Sequence, residues 1–177
     1  ISIRNSNIIS DEFGWKCHDV NISNCSIDSQ YALLESENVV MDNVKLTGKY
    51  TLQYMANVKV TNCVLDTKDA FWHSRNVLIK DCVVKGEYLG WYSDGLTFIN
   101  CKIISHQPLV DCKNLTLVNC TMEGCDLAFE YSDVNADIIG SIESIKNPRS
   151  GIITVDSVND VITGDEVIPC KGKVVIR

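Results

Sequence analysis

Residues 57–75 read NVKVTNCVLDTKDAFWHSR, and residues 76–94 read NVLIKDCVVKGEYLGWYSD. Asn, Val, Cys and Trp recur at the same places in both segments, nineteen residues apart. Asn57 is position 1 of the repeat and Arg75 is position 19. The pattern extends in both directions without an insertion, and its first position is then Asp19, Asn38, Asn57, Asn76, Gly95, Asn114 and Asp133. A fixed period near twenty is typical of a solenoid, in which each repeat buries its apolar residues against its neighbours.

Apolar residues alternate with polar ones at positions 2 and 4 and again at positions 7 and 9, which is the period of a β-strand. Positions 14–18 predict a third strand, as in Ala70–Ser74 and Leu89–Ser93. Asn at position 6 and Gly, Ser or Thr at position 11 predict the corners, because Asn and Gly tolerate left-handed backbone. Three short strands leave no room for a helix, so a leucine-rich repeat is a weak alternative. The sequence therefore predicts an all-β fold: a right-handed, single-stranded parallel β-helix of roughly eight coils, with an Asn ladder at position 6.

One domain accounts for the whole chain of 177 residues. Residues 1–133 are predicted to form β-helix coils, and residues 134–177, where the repeat weakens, the last coils and a C-terminal cap. Ile1 already falls at position 2, so we expect that coils precede it in a longer chain. The strand edge of this first coil is then predicted to be exposed.

The formal net charge of −7 disfavours nucleic acid and anionic lipid as partners, because both select clustered Lys and Arg. The longest apolar runs are too short to span a membrane. Nine Cys are present, and five share position 7, where they predict one buried, unbridged column. These five are Cys25, Cys63, Cys82, Cys101 and Cys120. Reduced thiols predict a cytoplasmic location. No cofactor or metal is predicted, since zinc-type spacing is missing and His18 and His106 are expected to stand alone at corner positions.

An apolar, aromatic face is predicted on the third strand. If positions 14, 16 and 18 point inward, as in Ala70, Trp72 and Ser74, then positions 13, 15 and 17 point outward. The outward set is unusually rich in Leu, Phe and Tyr for a solvated surface. The predicted binding face consists of Tyr54, Phe71, His73, Tyr92 and Leu109.

Three interpretations of this face remain open. It can be covered by another protomer, giving a homodimer with Phe71 and Leu109 central, or by the preceding part of the chain. It can be a carbohydrate groove, with Asp111 and Glu130 stacked one coil apart as a catalytic pair and His73 as an acid or base. Finally, it can reflect local packing, with the inward face wrongly assigned.

The motifs DAFWHS (Asp69–Ser74), GEYLGWYS (Gly86–Ser93) and LAFEYS (Leu127–Ser132) resemble those of a bacterial family of uncharacterised proteins, domain of unknown function 3737. The resemblance covers essentially the whole chain. It implies a pectin-lyase-like β-helix whose family members are longer at the N-terminus. It implies no activity and no catalytic residues.

Without a convergent catalytic set, the sequence predicts a non-enzymatic scaffold or binding solenoid. The alternative is a carbohydrate-active hydrolase, which rests on the fold resemblance and on Asp111 and Glu130. Whether the protein is an enzyme stays open at the level of sequence.

Overall fold

The alternating apolar residues form parallel strands in the computed structural model, which describes residues 1–177. All sixteen elements are β-strands, and they are β1 (Ser2–Arg4), β2 (Asn7–Ile9), β3 (Glu12–Phe13), β4 (His18–Asp28), β5 (Tyr31–Ala32), β6 (Glu37–Gly48), β7 (Ala56–Thr61), β8 (Val64–Thr67), β9 (Arg75–Lys80), β10 (Val83–Glu87), β11 (Asp94–Ile99), β12 (Lys102–His106), β13 (Leu115–Glu123), β14 (Asp133–Lys146), β15 (Ser150–Ile162) and β16 (Lys173–Ile176). The structure has no helix, and so none with the length and apolar character needed to cross a membrane.

Strands pair with their equivalents in the next coil. Val39 pairs with Val58, and Val58 with Val77, so the register between coils is nineteen residues. Stacking of this kind produces a β-solenoid of about nine turns. The predicted parallel β-helix is confirmed, with about one turn more than expected.

The core is one continuous apolar cluster that runs along the solenoid. Positions 2, 4, 7 and 9 all point into it, as predicted. The five Cys of position 7 (Cys25, Cys63, Cys82, Cys101 and Cys120) are buried and form no disulfide. The predicted Cys column is therefore confirmed.

Asn ladders mark two corners of each coil. At position 6, Asn43 Nδ2 donates to Asn24 Oδ1 at 2.8 Å and Asn119 Nδ2 donates to Asn100 Oδ1 at 2.9 Å. Position 1 carries a second ladder that was not predicted, in which Asn76 Nδ2 donates to Asn57 Oδ1 at 2.8 Å. Residues at both positions have φ near +55°, which Asn adopts more readily than most residues.

The predicted third strand is wrong. Residues at positions 15 and 17 both have positive φ, for example Phe71 at 64° and His73 at 52°. Two left-handed residues break the alternation of a strand, so the segment is a tight turn. Position 15 therefore points inward instead of outward, and Phe71 and Leu109 are completely buried. Position 16 was expected inside, yet Trp72 and Trp91 are only half-buried.

The extension of the repeat to Asp133 without an insertion is also wrong. Lys102 pairs with Thr121, nineteen residues on, but Cys112 N–H donates to Ser132 Oγ, twenty residues on. The additional residue is accommodated next to Gly124, which is exposed and has a φ of 64°. Strands β14, β15 and β16 continue the parallel stack beyond this point. The division into residues 1–133 and 134–177 stays a prediction.

Candidate functional site

The turn segments of successive coils carry a group of exposed and half-buried aromatic side chains, which we call the aromatic face. It consists of Tyr54, Trp72, His73, Tyr88, Trp91 and Tyr92. His73 lies between two tyrosine rings, with centroid distances of 5.0 Å to Tyr54 and 5.0 Å to Tyr92. Beside this row, the rings of Trp72 and Trp91 stack at 5.4 Å and are nearly parallel. Tyr88 packs edge-on against Trp91 at 5.1 Å.

The left-handed backbone at position 17 directs these side chains outward. Tyr54 is 53% exposed and Tyr92 is 44% exposed. The ring planes in the row are inclined by only 8° and 18° to each other. Both faces of the His73 ring are therefore covered by its neighbours. The row presents ring edges, hydroxyl groups and imidazole nitrogens to solvent, rather than open flat faces.

The tryptophans hold neighbouring coils together. Trp72 Nε1 donates to the carbonyl oxygen of Tyr88 at 2.6 Å, and Trp91 Nε1 donates to that of Gln107 at 2.8 Å. A polar N–H that reaches a carbonyl allows a large ring to lie partly buried without an unpaired donor. This contact explains why Trp recurs at position 16 in the two most similar repeats.

The predicted binding face is only partly exposed. Tyr54, His73 and Tyr92 lie on the surface, whereas Phe71 and Leu109 lie in the core beneath them. Sequence reasoning missed Trp72 and Trp91 as parts of the surface, whereas Tyr88, at position 13, was predicted to point outward but was not included in the binding face. The recurrence of Trp at position 16 was the available signal, but a strand pattern assigned it to the interior.

Asp111 and Glu130, the predicted catalytic pair, lie in different rows. The additional residue at Gly124 lengthens this coil, so each residue after it stacks on the residue twenty positions earlier. Tyr131, which has positive φ, therefore follows Asp111 at position 17, and Glu130 lies at position 16. Glu130 Oε1 lies 3.0 Å from Lys146 Nζ, and Asp111 Oδ1 lies 3.3 Å from Arg149 Nη1. Each carboxylate thus has its own cation. Neither contacts His73, which is held in the tyrosine row.

Arg149 ties the C-terminal strands to the coils. Its Nη2 lies 2.6 Å from Asp133 Oδ2, and its Nε donates to Asp133 Oδ1 at 2.9 Å. This bidentate contact, together with Ser150 Oγ at 2.7 Å, holds the pKa of the Asp133 carboxyl below its ordinary value. These charges therefore serve the attachment of β15 to the solenoid.

A polar groove lies along the corner formed by positions 10–12. It has a volume of about 430 Å³. Small residues form its floor, and charged residues form its two walls. The floor consists of Gly48, Thr67, Gly86, Ser105 and Gly124. The walls consist of Asp66, Lys68, Lys85, Glu87, Ile104, His106 and Glu123.

His106 in this groove has an acidic partner. Its Nδ1 lies 2.7 Å from Asp126 Oδ1, so the expectation that His106 stands without an Asp neighbour is wrong. The nineteen-residue frame assigned Asp126 to position 13, whereas the additional residue at Gly124 brings it beside His106. His18 also has a carboxylate, Glu37, but at 3.9 Å. No cluster of three or more His, Cys, Asp or Glu residues with metal-binding geometry is present.

Asp69 is a further buried carboxyl group at the turn. The residue is 6% exposed and its Oδ1 has no hydrogen-bond partner. Burial raises the pKa of Asp69, partly offset by the neighbouring ammonium group of Lys68. It occupies position 13, where the coils on either side carry Tyr50 and Tyr88.

A family model described as "Protein of unknown function (DUF3737)" matches residues 1–176. No curated protein matches the chain.

Proposed function

We propose that this chain, which belongs to the DUF3737 family of proteins of unknown function, acts as a non-enzymatic binding solenoid. The aromatic face is its contact surface. The observation that carries the proposal is the exposed row Tyr54–His73–Tyr92, flanked by the Trp72–Trp91 stack. Tyr and Trp are enriched at protein interfaces, because a rigid ring buries much apolar area at little entropic cost.

The partner that this surface fits best is a second copy of the chain. Along position 17 the residues are Glu35, Tyr54, His73, Tyr92 and Asp111, an order that is almost symmetric about His73. A two-fold axis at His73 would set each Tyr54 against a Tyr92. The carboxylates at the two ends already have cationic neighbours, with Glu35 3.5 Å from Lys16 and Asp111 3.3 Å from Arg149. Repulsion between the ends is thereby reduced.

Sedimentation equilibrium at 1–100 μM tests this interface. We expect a dimer for the native sequence and a monomer for Tyr92→Glu, because a carboxylate in the row would lose its hydration on association. Val118→Glu is the matched control, since Val118 is 43% exposed but lies on another side of the coil. A monomeric native protein, or equal loss of association in both variants, would contradict the proposal. Phe71→Glu is unsuitable, because Phe71 is part of the core.

The carbohydrate-active hydrolase stays the alternative prediction. The separate cations of Asp111 and Glu130 give it less support than a facing pair of free carboxyl groups would. A screen of glycosides and oligogalacturonides would test it, and turnover that is lost in Asp111→Asn or Glu130→Gln would replace the binding proposal.

We further propose a cytoplasmic location. Nine free thiols support it, because an oxidising compartment favours pairing or oxidation of cysteines. The matching measurement is fractionation of cells that make the full-length protein.

A further inference from the structure

We infer that the polar groove at positions 10–12 binds an uncharged oligosaccharide, and that His106, held by Asp126, is a main hydrogen-bonding residue for it. This site lies apart from the row Tyr54–His73–Tyr92. It depends on neither the dimer nor the proposed role of the aromatic face. The argument rests on the shape, charge and hydrogen-bonding groups of the groove.

The groove runs along the solenoid axis. Its floor residues Gly48, Thr67, Gly86, Ser105 and Gly124 come from five successive coils. With about 4.8 Å between paired strands, the floor is about 19 Å long. A Cβ added to Gly86 would lie only 1.7 Å from the Thr67 carbonyl oxygen, and one added to Gly48 would lie 2.0 Å from that of Ser29. The backbone therefore requires glycine at both places, and the floor stays free of side chains there. A long, narrow groove of this kind fits a linear ligand.

Charges on the walls nearly cancel. Lys85 Nζ lies 3.3 Å from Asp66 Oδ2, and Lys68 Nζ lies 3.3 Å from Glu87 Oε2. Glu123, on the same wall as Asp66, is paired with Lys102 at 2.6 Å. A polyanion would meet these carboxylates along the whole groove, so nucleic acids and polyuronates are disfavoured. Ile104 is the single apolar residue of the lining, although carbon atoms of the polar side chains supply much of its surface.

The lining offers donors and acceptors in alternation. Carboxylates accept hydrogen bonds, ammonium groups donate them, and an imidazole does either at its two nitrogens. A ligand that matches this set must itself carry many groups that both donate and accept, without net charge. Hydroxyl groups have this property, and a chain of sugar rings presents them at short intervals along its length. An uncharged oligosaccharide is therefore the chemical class that fits.

His106 is prepared for such a contact. Its Nδ1 lies 2.7 Å from Asp126 Oδ1, and the same carboxylate oxygen accepts the Gln107 N–H at 3.2 Å. The second ring nitrogen, Nε2, makes no hydrogen bond within the protein. Tyr88 packs edge-on against the imidazole at 5.7 Å and limits its rotation. A ring that is fixed at one nitrogen and free at the other can bind a ligand hydroxyl at little entropic cost.

A second polar group in the floor is also unpaired. Thr67 is 3% exposed, and its Oγ1 has no hydrogen-bond partner. Leaving a buried hydroxyl unpaired is unfavourable, because the group has lost its hydration without gaining a protein partner. Its hydroxyl equivalents two coils away do find partners, as Ser29 Oγ does with the Tyr31 carbonyl at 3.2 Å. The unpaired group lies in the second of the five coils that form the floor.

The three histidines of the chain permit a direct test. His106 lies in the groove, His73 in the aromatic face, and His18 at a corner outside both. The full-length protein is labelled with ¹⁵N-histidine and titrated with cellohexaose, maltohexaose and xylohexaose, with hexagalacturonate and a polyglutamate peptide as charged probes. We expect at least one uncharged hexasaccharide to shift the imidazole resonances of His106 and to leave those of His18 unchanged.

Variants then connect the shift to affinity. Calorimetry should show binding weakened about tenfold or more in His106→Ala, and weakened less in Asp126→Asn, which keeps a side chain at the same place. His18→Ala should bind like the native protein. Far-ultraviolet circular dichroism checks that each variant is folded.

Three outcomes would overturn the inference. They are binding of none of the uncharged probes at millimolar concentration, binding of a charged probe alone, and binding that His106→Ala leaves unchanged. A shift confined to His73 would assign the ligand to the aromatic face instead. Sedimentation of His106→Ala should match the native protein, so failure here is distinguishable from failure of the dimer.

Discussion

Two corners of the coil have the same hydrogen-bonding arrangement, but one uses a Cys thiol and the other a Ser hydroxyl. At the first, Cys82 Sγ accepts the Cys63 N–H at 3.3 Å and contacts the Val60 carbonyl, 22 residues earlier, at 3.7 Å. At the second, Ser93 Oγ accepts the Ser74 N–H at 3.1 Å and donates to the Phe71 carbonyl, also 22 residues earlier. In both cases the small side chain comes directly after a left-handed residue. It supplies a partner for a backbone N–H and a backbone carbonyl that the turn has removed from the sheet.

The difference between the corners explains where the surface arises. The Cys corner contains one left-handed residue, at position 6, and joins two strands directly. The Ser corner contains two, at positions 15 and 17, so its backbone is turned twice within three residues. The first turn buries Phe71, and the second projects His73. The tighter corner thereby places one side chain of each turn in the core and another in the exposed aromatic row.

The largest expected effect is that of Phe71→Ala. Removal of a completely buried ring should lower the free energy of unfolding by about 3–5 kcal/mol. Tyr92→Ala, in the exposed row, should change it by less than about 1 kcal/mol in the monomer. Urea denaturation at low protein concentration measures both. Equal effects would mean that the turn does not distinguish position 15 from position 17.

Ser93→Ala comes next, because it removes two hydrogen bonds of a buried hydroxyl and leaves the Ser74 N–H and the Phe71 carbonyl only their mutual contact at 3.2 Å. We expect a loss of about 2–3 kcal/mol. Cys82→Ala removes only weak sulfur contacts and a small buried volume, so about 1–2 kcal/mol is expected. If the Cys variant lost as much stability as the Ser variant, the thiol would be a stronger hydrogen-bonding group than its chemistry suggests. Cys82→Ser, which keeps the hydrogen bonds, is the control.

A smaller effect is expected for Trp91→Phe. The change keeps a ring in place but removes the Nε1 donor of the Gln107 carbonyl, at a cost of about 0.5–1.5 kcal/mol. Trp15→Phe is the matched control, since Trp15 is exposed and its Nε1 has only a long contact of 3.3 Å with Glu35. A loss of stability in the control as large as in Trp91→Phe would contradict the role of Trp91 as a link between coils.

Thiol reactivity tests the Cys corner without a mutation. Burial raises the pKa of Cys112 and of Cys125 to about 12, so both remain protonated and unreactive at pH 8. Cys17 and Cys170 are only half-buried and should react first with a maleimide. Mass spectrometry of the native protein should therefore show two rapid modifications. Rapid labelling of Cys63 or Cys82 would contradict their place in the core.

The sequence predicted the strands well because their evidence is local and repeated. Alternation at positions 2, 4, 7 and 9 sets the faces of the sheet, and Asn at position 6 sets a corner. The turn at positions 13–18 was mispredicted because Leu52, Phe71 and Leu109 adopt left-handed backbone, which their side chains disfavour in isolation. Packing of these residues in the core overrides that local preference. The residue types alone therefore do not reveal the left-handed backbone.

The geometry around the predicted site residues differs from the expectation for a second reason. A single additional residue at Gly124 moves Asp126 beside His106 and separates Glu130 from the row of Asp111. A frame fitted to six well-matched repeats does not detect this shift, because Cys120 and Asp133 both still satisfy the nineteen-residue period. The spacing between coils returns to nineteen residues by Val134, which pairs with Leu115.

The most direct test of this account is the proton NMR spectrum of the His73 imidazole. Rings stacked on both faces shift its ring protons to high field. We therefore predict that His73 resonates upfield of His18 and moves towards it in the double variant Tyr54→Leu, Tyr92→Leu. Imidazole shifts for His73 equal to those of His18 in the native protein, unchanged in the double variant, would contradict the aromatic row and the turn that creates it.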